Sequence, residues 1–513
     1  MGSTNAARSS KPRHIVMAPF MAQGHLIPFA ALAKHIQKRT GFTITIATTP
    51  LNLKYLQKAI ISGGGDHNIS INLSELPFSS SDHGLPPNTE NTEALTLAQI
   101  AVLGTASMSL KSPFQELVEK ITSEEGAPPL CIISDVFLGW ASEVAKACNT
   151  VNITFTTGGA YGTAAYTTVW RNLPHRKLKP GEEELSLPGF PETVKIHVSQ
   201  LHKYIREADG TDEWSRFFQS QLRLSSESAG WLCNTAEEIE KSGLEILRNI
   251  LQLPVWPIGP LLPEFMLKKT RRPGIASNGS DQRAGKEYGI APNECIDWLD
   301  SKKENSVLFI SFGSQNSIKQ SQMMALAAGL EQCGTSFIWV VRPPVEFDIN
   351  AAFRPEWLPS GFEKRVTESK KGLLVRQWAP QLEILEHKST GAFLSHCGWN
   401  SVMEGLSQGV PIIGWPLAAE QAYNSKMLVE EMGVAVEICR GLDGVLTAEA
   451  VKSVAEEVMR GERLRRNAEE IGVRIREGMR DEKGFEGSSI KALDEFVAYV
   501  MSKNKNKGMI CCD

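Results

Sequence analysis

Two spacings of apolar residues alternate along the whole chain. Short runs rich in Val, Ile, Phe and Thr, namely HIVMAPF, FTITIATT, ISINLSEL, LCIISDVF, TVNITFTT and GWLCNTA, read as strands in the first half. Longer stretches with apolar residues at helical spacing, such as PFAALAKHIQKR and SEVAKACN, separate them. The second half repeats the scheme, with SVLFISFGS, SFIWVVR, GLLVRQW, GAFLSHC, PIIGWP and VAVEIC as strands and QSQMMALAAGLEQC and YNSKMLVEEMG as helices. Strands that run as continuous apolar segments between helices belong to parallel sheets covered on both faces. The predicted fold class is α/β, with two doubly wound domains. The pattern lapses over residues 264–293, which are rich in Gly, Ser, Lys and Arg and lack an apolar period. That stretch is expected to link a first domain of residues 1–263 to a second of residues 294–513. The last helical stretch, SSIKALDEFVAYVMSK, is expected to pack back across the first domain.

A length of 513 residues suits two cores with a cleft between them. With 42% hydrophobic and 22% charged residues and a net charge of -4, the composition is that of an ordinary globular protein. It argues against a nucleic-acid or anionic-membrane partner. The N-terminus, MGSTNAARSSKPRH, lacks the apolar core of a signal peptide, and no apolar run is long enough to span a bilayer. The nine cysteines show no C-x-x-C pair, against both a disulfide framework and a zinc site. A reducing, cytosolic compartment is expected. Cys511 and Cys512 do not stand fourth from the end as prenylation requires, and they read as a frayed tail.

Within this pattern the segment GAFLSHCGWNSVMEGL runs from a strand, through a turn at Cys397 and Gly398, into a helix expected near Asn400. Ligands of open parallel sheets collect at such strand ends, and a helix start offers free N–H groups and a favourable dipole to an anion. His396 and Asn400 add donors suited to a phosphate. The same residues admit a plainer reading, because Ser401 and Glu404 fit the S-x-x-E capping box.

The surrounding stretch from Trp378 to Gln421, WAPQLEILEHKSTGAFLSHCGWNSVMEGLSQGVPIIGWPLAAEQ, resembles the signature box of plant UDP-sugar-dependent glycosyltransferases of small molecules. GHLIP at Gly24–Pro28, LPF at Leu76–Phe78, FTTGG at Phe155–Gly159, NTAEEIE at Asn234–Glu240, WPIGPL at Trp256–Leu261, FISFGS at Phe309–Ser314 and LPSGFEKR at Leu358–Arg365 agree with it. The resemblance implies the GT-B fold, two Rossmann-like domains facing a cleft. It also implies roles. Trp378 would stack on the uracil, with Ala379 and Gln381 beside it. His396, Asn400, Ser401 and Ser314 would hold the pyrophosphate and Glu404 the ribose hydroxyls. Trp399, Glu420 and Gln421 would face the sugar, with Thr157 reaching it from the first domain.

His25, alone, would pass for an exposed residue at a helix start, and Asp135 for the N-cap of GWASEVAKA. By resemblance, His25 matches the general base that takes a proton from an acceptor hydroxyl, and Asp135 its partner carboxylate. Attack opposite the leaving UDP would invert the anomeric carbon. No D-x-D motif occurs, so metal independence is expected, with UDP-glucose as co-substrate and no other cofactor. Gln421 and Trp399 fit a glucose user. Phe137, Trp140 and Trp170 are candidate walls of an acceptor site, with Ala419 approaching from the second domain and His25 at the reacting end. A flavonoid, another phenolic or a terpenoid would fit, and a monomer is expected. Transfer to an acceptor carbon, and a noncatalytic binding protein on the same fold, remain as alternatives. A nicotinamide-linked oxidoreductase would need G-x-G-x-x-G after a strand, which is lacking.

Overall fold

The computed structural model describes residues 13–62, 71–268, 288–482 and 484–509. Its first sheet has parallel strands β1 (His14–Ala18), β2 (Thr43–Thr48), β3 (Ile71–Glu75), β4 (Cys131–Asp135), β5 (Asn152–Thr156), β6 (Trp231–Cys233) and β7 (Val255–Pro257), in the order β3-β2-β1-β4-β5-β6-β7. The second comprises β8 (Val307–Ser311), β9 (Ser336–Val341), β10 (Gly372–Arg376), β11 (Thr390–Ser395), β12 (Ile412–Gly414) and β13 (Ala435–Glu437), in the order β10-β9-β8-β11-β12-β13. Each sheet reverses its strand order beside its first strand, which opens a crevice at the carboxyl ends.

The continuous apolar runs have a direct structural reason. Along β1, Val16 and Ala18 enter one core while Ile15 and Met17 enter the core on the opposite face. In β8, Leu308 and Ile310 face one layer and Val307 and Phe309 the other. Side chains alternate across a strand, so a sheet covered on both faces needs an apolar residue at every position. The predicted strands all form. β7 was not foreseen, because Val255–Pro257 is only three residues long and ends on a proline, too short to read as an apolar run.

The helix α1 (Gln23–Thr40) begins directly after β1 and carries Pro28 inside it. The C-terminal helix, Ser488–Met509, lies on the first domain, with Phe496 edge-on to Trp256 of β7 at 5.7 Å. Of the expected linker, Glu264–Lys268 and the start of Pro292–Asp300 are helical. Residues 269–287 lie outside the described residues, as do the polar N-terminus through residue 12 and the Cys511–Cys512 tail. Among the described residues no helix is long and apolar enough to cross a membrane.

Candidate active site

Strand ends of the first sheet bring the proposed base and its partner together. His25 lies in the first turn of α1, and Asp135 is the last residue of β4. Asp135 is fully buried and its two oxygens have separate partners. Oδ2 accepts from His25 Nδ1 at 2.6 Å and Oδ1 from the backbone N–H of Phe137 at 3.0 Å. A carboxylate on Nδ1 holds the proton there and leaves Nε2 as the basic nitrogen. The helix Ala141–Ala147 takes Trp140 as its N-cap, so Asp135 does not cap it. Thr157, just beyond β5, has its Oγ1 3.4 Å from His25 Nδ1. Burial lowers the His25 pKa, but the charge and hydrogen bond of Asp135, with the charge of Glu420, outweigh it and set the pKa above the ordinary 6.5.

Aromatic rings surround this pair. Phe20 meets the imidazole edge-on at 5.6 Å and Phe137 lies 5.5 Å from it. Deeper in the cleft the wall continues through Tyr166, Phe217, Phe218 and Trp214. Two expected wall residues do not belong to it. Trp140 is completely buried against Phe114, 5.6 Å away, in the core beneath β4. Trp170 is also completely buried, stacked at 4.8 Å behind Phe218, whose ring lines the cleft in its place. Tyr166 stands on α2 (Ala160–Asn172), and the missed wall comes from α3 (Glu213–Ser225), the segment EWSRFFQSQLRLS. Its Trp214, Phe217, Phe218 and Leu222 follow the i, i+3, i+4, i+8 spacing of a single helix face.

On the opposite side β11 ends at Ser395, Cys397 takes a left-handed φ of 62°, and α4 (Trp399–Ser407) starts from an extended Gly398 as N-cap. Ser401 is therefore the third helical residue, and the Ser401–Glu404 capping box is not formed. The left-handed turn starts the helix before Asn400 and aims its first turn at the cleft. Glu404 instead accepts from Gln381 Nε2 at 2.6 Å, and that amide also donates to Ser401 Oγ at 3.2 Å. His396 lies between two glycines: a Cβ on Gly313 or Gly398 would stand 2.7 or 2.4 Å from its ring. Burial, with the nearby charge of Arg342, lowers its pKa to about 4, so it is a neutral donor near pH 7.

Trp378 and Ala379 line the cleft near Ser314. Arg342, at the carboxyl end of SFIWVVR, donates to the Ser314 carbonyl and lies 5.6 Å from the Trp378 ring centre. A cation at a strand end was the signal for this residue. Ala419, Glu420 and Gln421 also line the cleft, and Gln421 Oε1 accepts from the backbone of Leu417 and Ala418, both at 2.9 Å. Two residues of α4 cross to the first domain. The Trp399 indole donates to the Asn234 carbonyl at 2.7 Å, so this N–H is committed to the domain contact, and Asn400 Nδ2 donates to the Gly24 carbonyl at 3.0 Å.

Residues 13–263 match the family described as glycosyltransferase, N-terminal domain, and residues 213–475 match UDP-glucoronosyl and UDP-glucosyl transferase. UDP-glycosyltransferase 92A1 of Arabidopsis thaliana is 41% identical, over 96% of this chain and 99% of its own length. Crocetin glucosyltransferase 3 of Crocus sativus is 43% identical, over 94% and 98% respectively. The structure of Glycyrrhiza uralensis UGT73P12, solved with glycyrrhetinic acid 3-O-monoglucuronide, superposes with a TM-score of 0.80 at 28% identity and covers 97% of both chains. The chain thus belongs to the UDP-glucoronosyl and UDP-glucosyl transferase family, as a plant UDP-glycosyltransferase of small molecules on the GT-B fold.

Proposed function

We propose that this protein is an inverting O-glucosyltransferase that moves glucose from UDP-glucose to a hydroxyl of a lipophilic small molecule. The observation that carries the reading is the 2.6 Å contact of His25 with buried Asp135, placed where the aromatic cavity meets the donor-side helix. His25 Nε2 takes the proton of the acceptor hydroxyl as its oxygen attacks the anomeric carbon. The bond from that carbon to the β-phosphate oxygen breaks on the opposite face, and UDP leaves with the electron pair. Asp135 keeps its hydrogen bond to Nδ1–H and stabilises the imidazolium. Positioned base catalysis contributes on the order of 100- to 10,000-fold.

For the donor, Trp378 stacks on uracil, Glu404 takes the ribose diol, and the start of α4 with His396, Ser401 and Ser314 takes the pyrophosphate. Glu420 and the Gln421 amide N–H meet the sugar hydroxyls, and Thr157 approaches from the first domain. This charge stabilisation comes from fixed donors, and the absence of D-x-D supports metal independence. No cofactor beyond the co-substrate is required. A cytosolic location and a monomeric state belong to this reading. Curated relatives include a flavonoid 3-O-glucosyltransferase of Fragaria ananassa and a scopoletin glucosyltransferase of Nicotiana tabacum, which favour a phenolic acceptor.

A panel of UDP-sugars with a phenolic acceptor library is expected to give the highest kcat/KM with UDP-glucose and an acid-labile product. His25→Ala is expected to lose most transfer while binding UDP normally. Preference for another donor, an acid-stable product or near-normal turnover in a folded His25→Ala protein would each remove the corresponding part of the reading.

A further inference from the structure

The motif NTAEEIE, residues 234–240, follows β6 and begins beside the strand end that carries Thr157. Its first residue is buried and ties three separate segments together. The backbone N–H of Asn234 donates to the Thr156 carbonyl at 3.2 Å, and Nδ2 donates to the Thr157 carbonyl, also at 3.2 Å. Its own carbonyl takes the Trp399 indole of α4 at 2.7 Å, and Oδ1 accepts from the backbone N–H of Leu261, beyond β7, at 2.8 Å. Only one orientation of the amide serves both neighbours, because the Thr157 carbonyl needs a donor and the Leu261 N–H an acceptor.

The last residue of the motif holds the other end of the same loop. Glu240 is buried, and its two oxygens accept from the first two N–H groups of α2, those of Ala160 at 2.9 Å and Tyr161 at 3.0 Å. A carboxylate suits the positive end of a helix. Thr157, Gly158 and Gly159 are thus anchored from both sides and pressed against the donor helix. A Cβ on Gly159 would stand 2.6 Å from Glu240 Oε2 and 2.8 Å from the Trp399 ring. At the cleft end of this loop Thr157 Oγ1 lies 3.4 Å from His25 Nδ1.

We propose that Asn234 is a positioning residue for glucosyl transfer: it holds the Thr157 carbonyl while its own carbonyl takes the Trp399 indole, and so fixes the Thr157 hydroxyl in register with the donor helix. The inference rests on the reading of Thr157 as the first-domain residue that approaches the sugar, and adds what sets it there. Asn234 is outside the cleft lining and acts through Thr157. Small misplacements of a group that aligns substrates cost rate, so loosening this loop lowers transfer without loosening the nucleotide.

A double-mutant cycle in the full-length enzyme tests this, with UDP-glucose and the library phenol that the wild type turns over fastest. Thr157→Val, which removes the hydroxyl, is expected to lower kcat/KM about three- to tenfold, the worth of one hydrogen bond. Asn234→Ala is expected to lower it by a similar factor while UDP affinity, measured by calorimetry, stays unchanged. In the double variant Asn234→Ala is expected to add less than about a twofold loss to that of Thr157→Val, because the hydroxyl that it would misplace is gone. A merely structural role, exerted through Leu261, persists in the Thr157→Val background, so the two losses multiply. Normal kcat/KM in Asn234→Ala, multiplied losses, or a matching loss of UDP affinity overturns the positioning role. If Asn234→Ala does not fold, Asn234→Leu, closer to the native volume, takes its place in the cycle, and failure of that variant as well makes the residue structural and overturns the role. Normal transfer by Thr157→Val overturns the reading of Thr157 instead.

Discussion

His25 is subject to opposed influences, and their balance is measurable. Its folded pKa lies above 6.5, because Asp135 and Glu420 outweigh burial. If His25 is the base proposed above, it is available only once the ring has lost its proton, so kcat/KM is expected to rise with pH through a limb centred above 6.5. In Asp135→Asn the main raising influence is gone and burial remains. That limb is expected to move below its wild-type position, with kcat falling less than in His25→Ala. A pH–rate profile that keeps its acid limb in Asp135→Asn would assign the limb to another group. Glu404 gives a second test at this scale. Its carboxylate is held by Gln381 rather than by a helix cap, so Glu404→Gln is expected to weaken UDP binding roughly tenfold, about 1.4 kcal/mol, by calorimetric titration. The melting temperature without ligand should change little. Sequence motifs brought out most of the cleft-lining residues of the second domain because they lie in one continuous stretch. They did not separate Trp140 and Trp170 from Phe218, because lining or burial depends on which helix stands in front. His202 and Arg342 escaped because neither lies in a quoted motif, and only the fold places them in the cleft.

Elements carry this chemistry through small departures from regularity. Pro28 lacks the N–H that would bond to the Gly24 carbonyl four residues back in α1. That carbonyl accepts from Asn400 of the other domain instead, at 3.0 Å. The proline thus leaves open the acceptor through which the donor helix grips the turn that carries His25. Pro28→Ala would restore a competing N–H and remove a helix-interior cost of up to ~3 kcal/mol, offset in part by lost packing of the buried ring. Thermal stability is therefore expected to stay near or above wild type while kcat falls several-fold. Unchanged kcat in a normally stable variant would exclude this contact from setting the base. The strands were legible because their double burial is written as continuous apolar runs. β7 was not, because three residues ending on a proline leave no such periodic signal, whereas the turn at Cys397 and Gly398 and the helix start beside Asn400 were.

On the scale of the whole molecule the two halves are not independent bodies. Trp399, Val402 and Tyr423 of the second domain lie in the same buried cluster as Trp140, Ala164 and Tyr161 of the first. The chain also returns after the second sheet, placing Leu493, Phe496 and Val500 among Met17, Phe29 and Trp256. The C-terminal helix thus completes the core of the acceptor-side domain, far along the sequence from the strands it covers. Apolar spacing revealed that helix, but not which face of the first sheet it covers. Phe496 is fully buried there, so Phe496→Ala is expected to cost about 3–5 kcal/mol of stability, read from a denaturant or thermal melt. The residues proposed to hold UDP belong to the other sheet and its loops. At a temperature where the variant remains folded, UDP affinity is therefore expected to stay within about twofold of wild type, a change below ~0.5 kcal/mol. A fall in UDP affinity under those conditions would mean that the helix also sets the donor site through the shared core. An unchanged melt would mean that the ring contributes little to the sheet it covers.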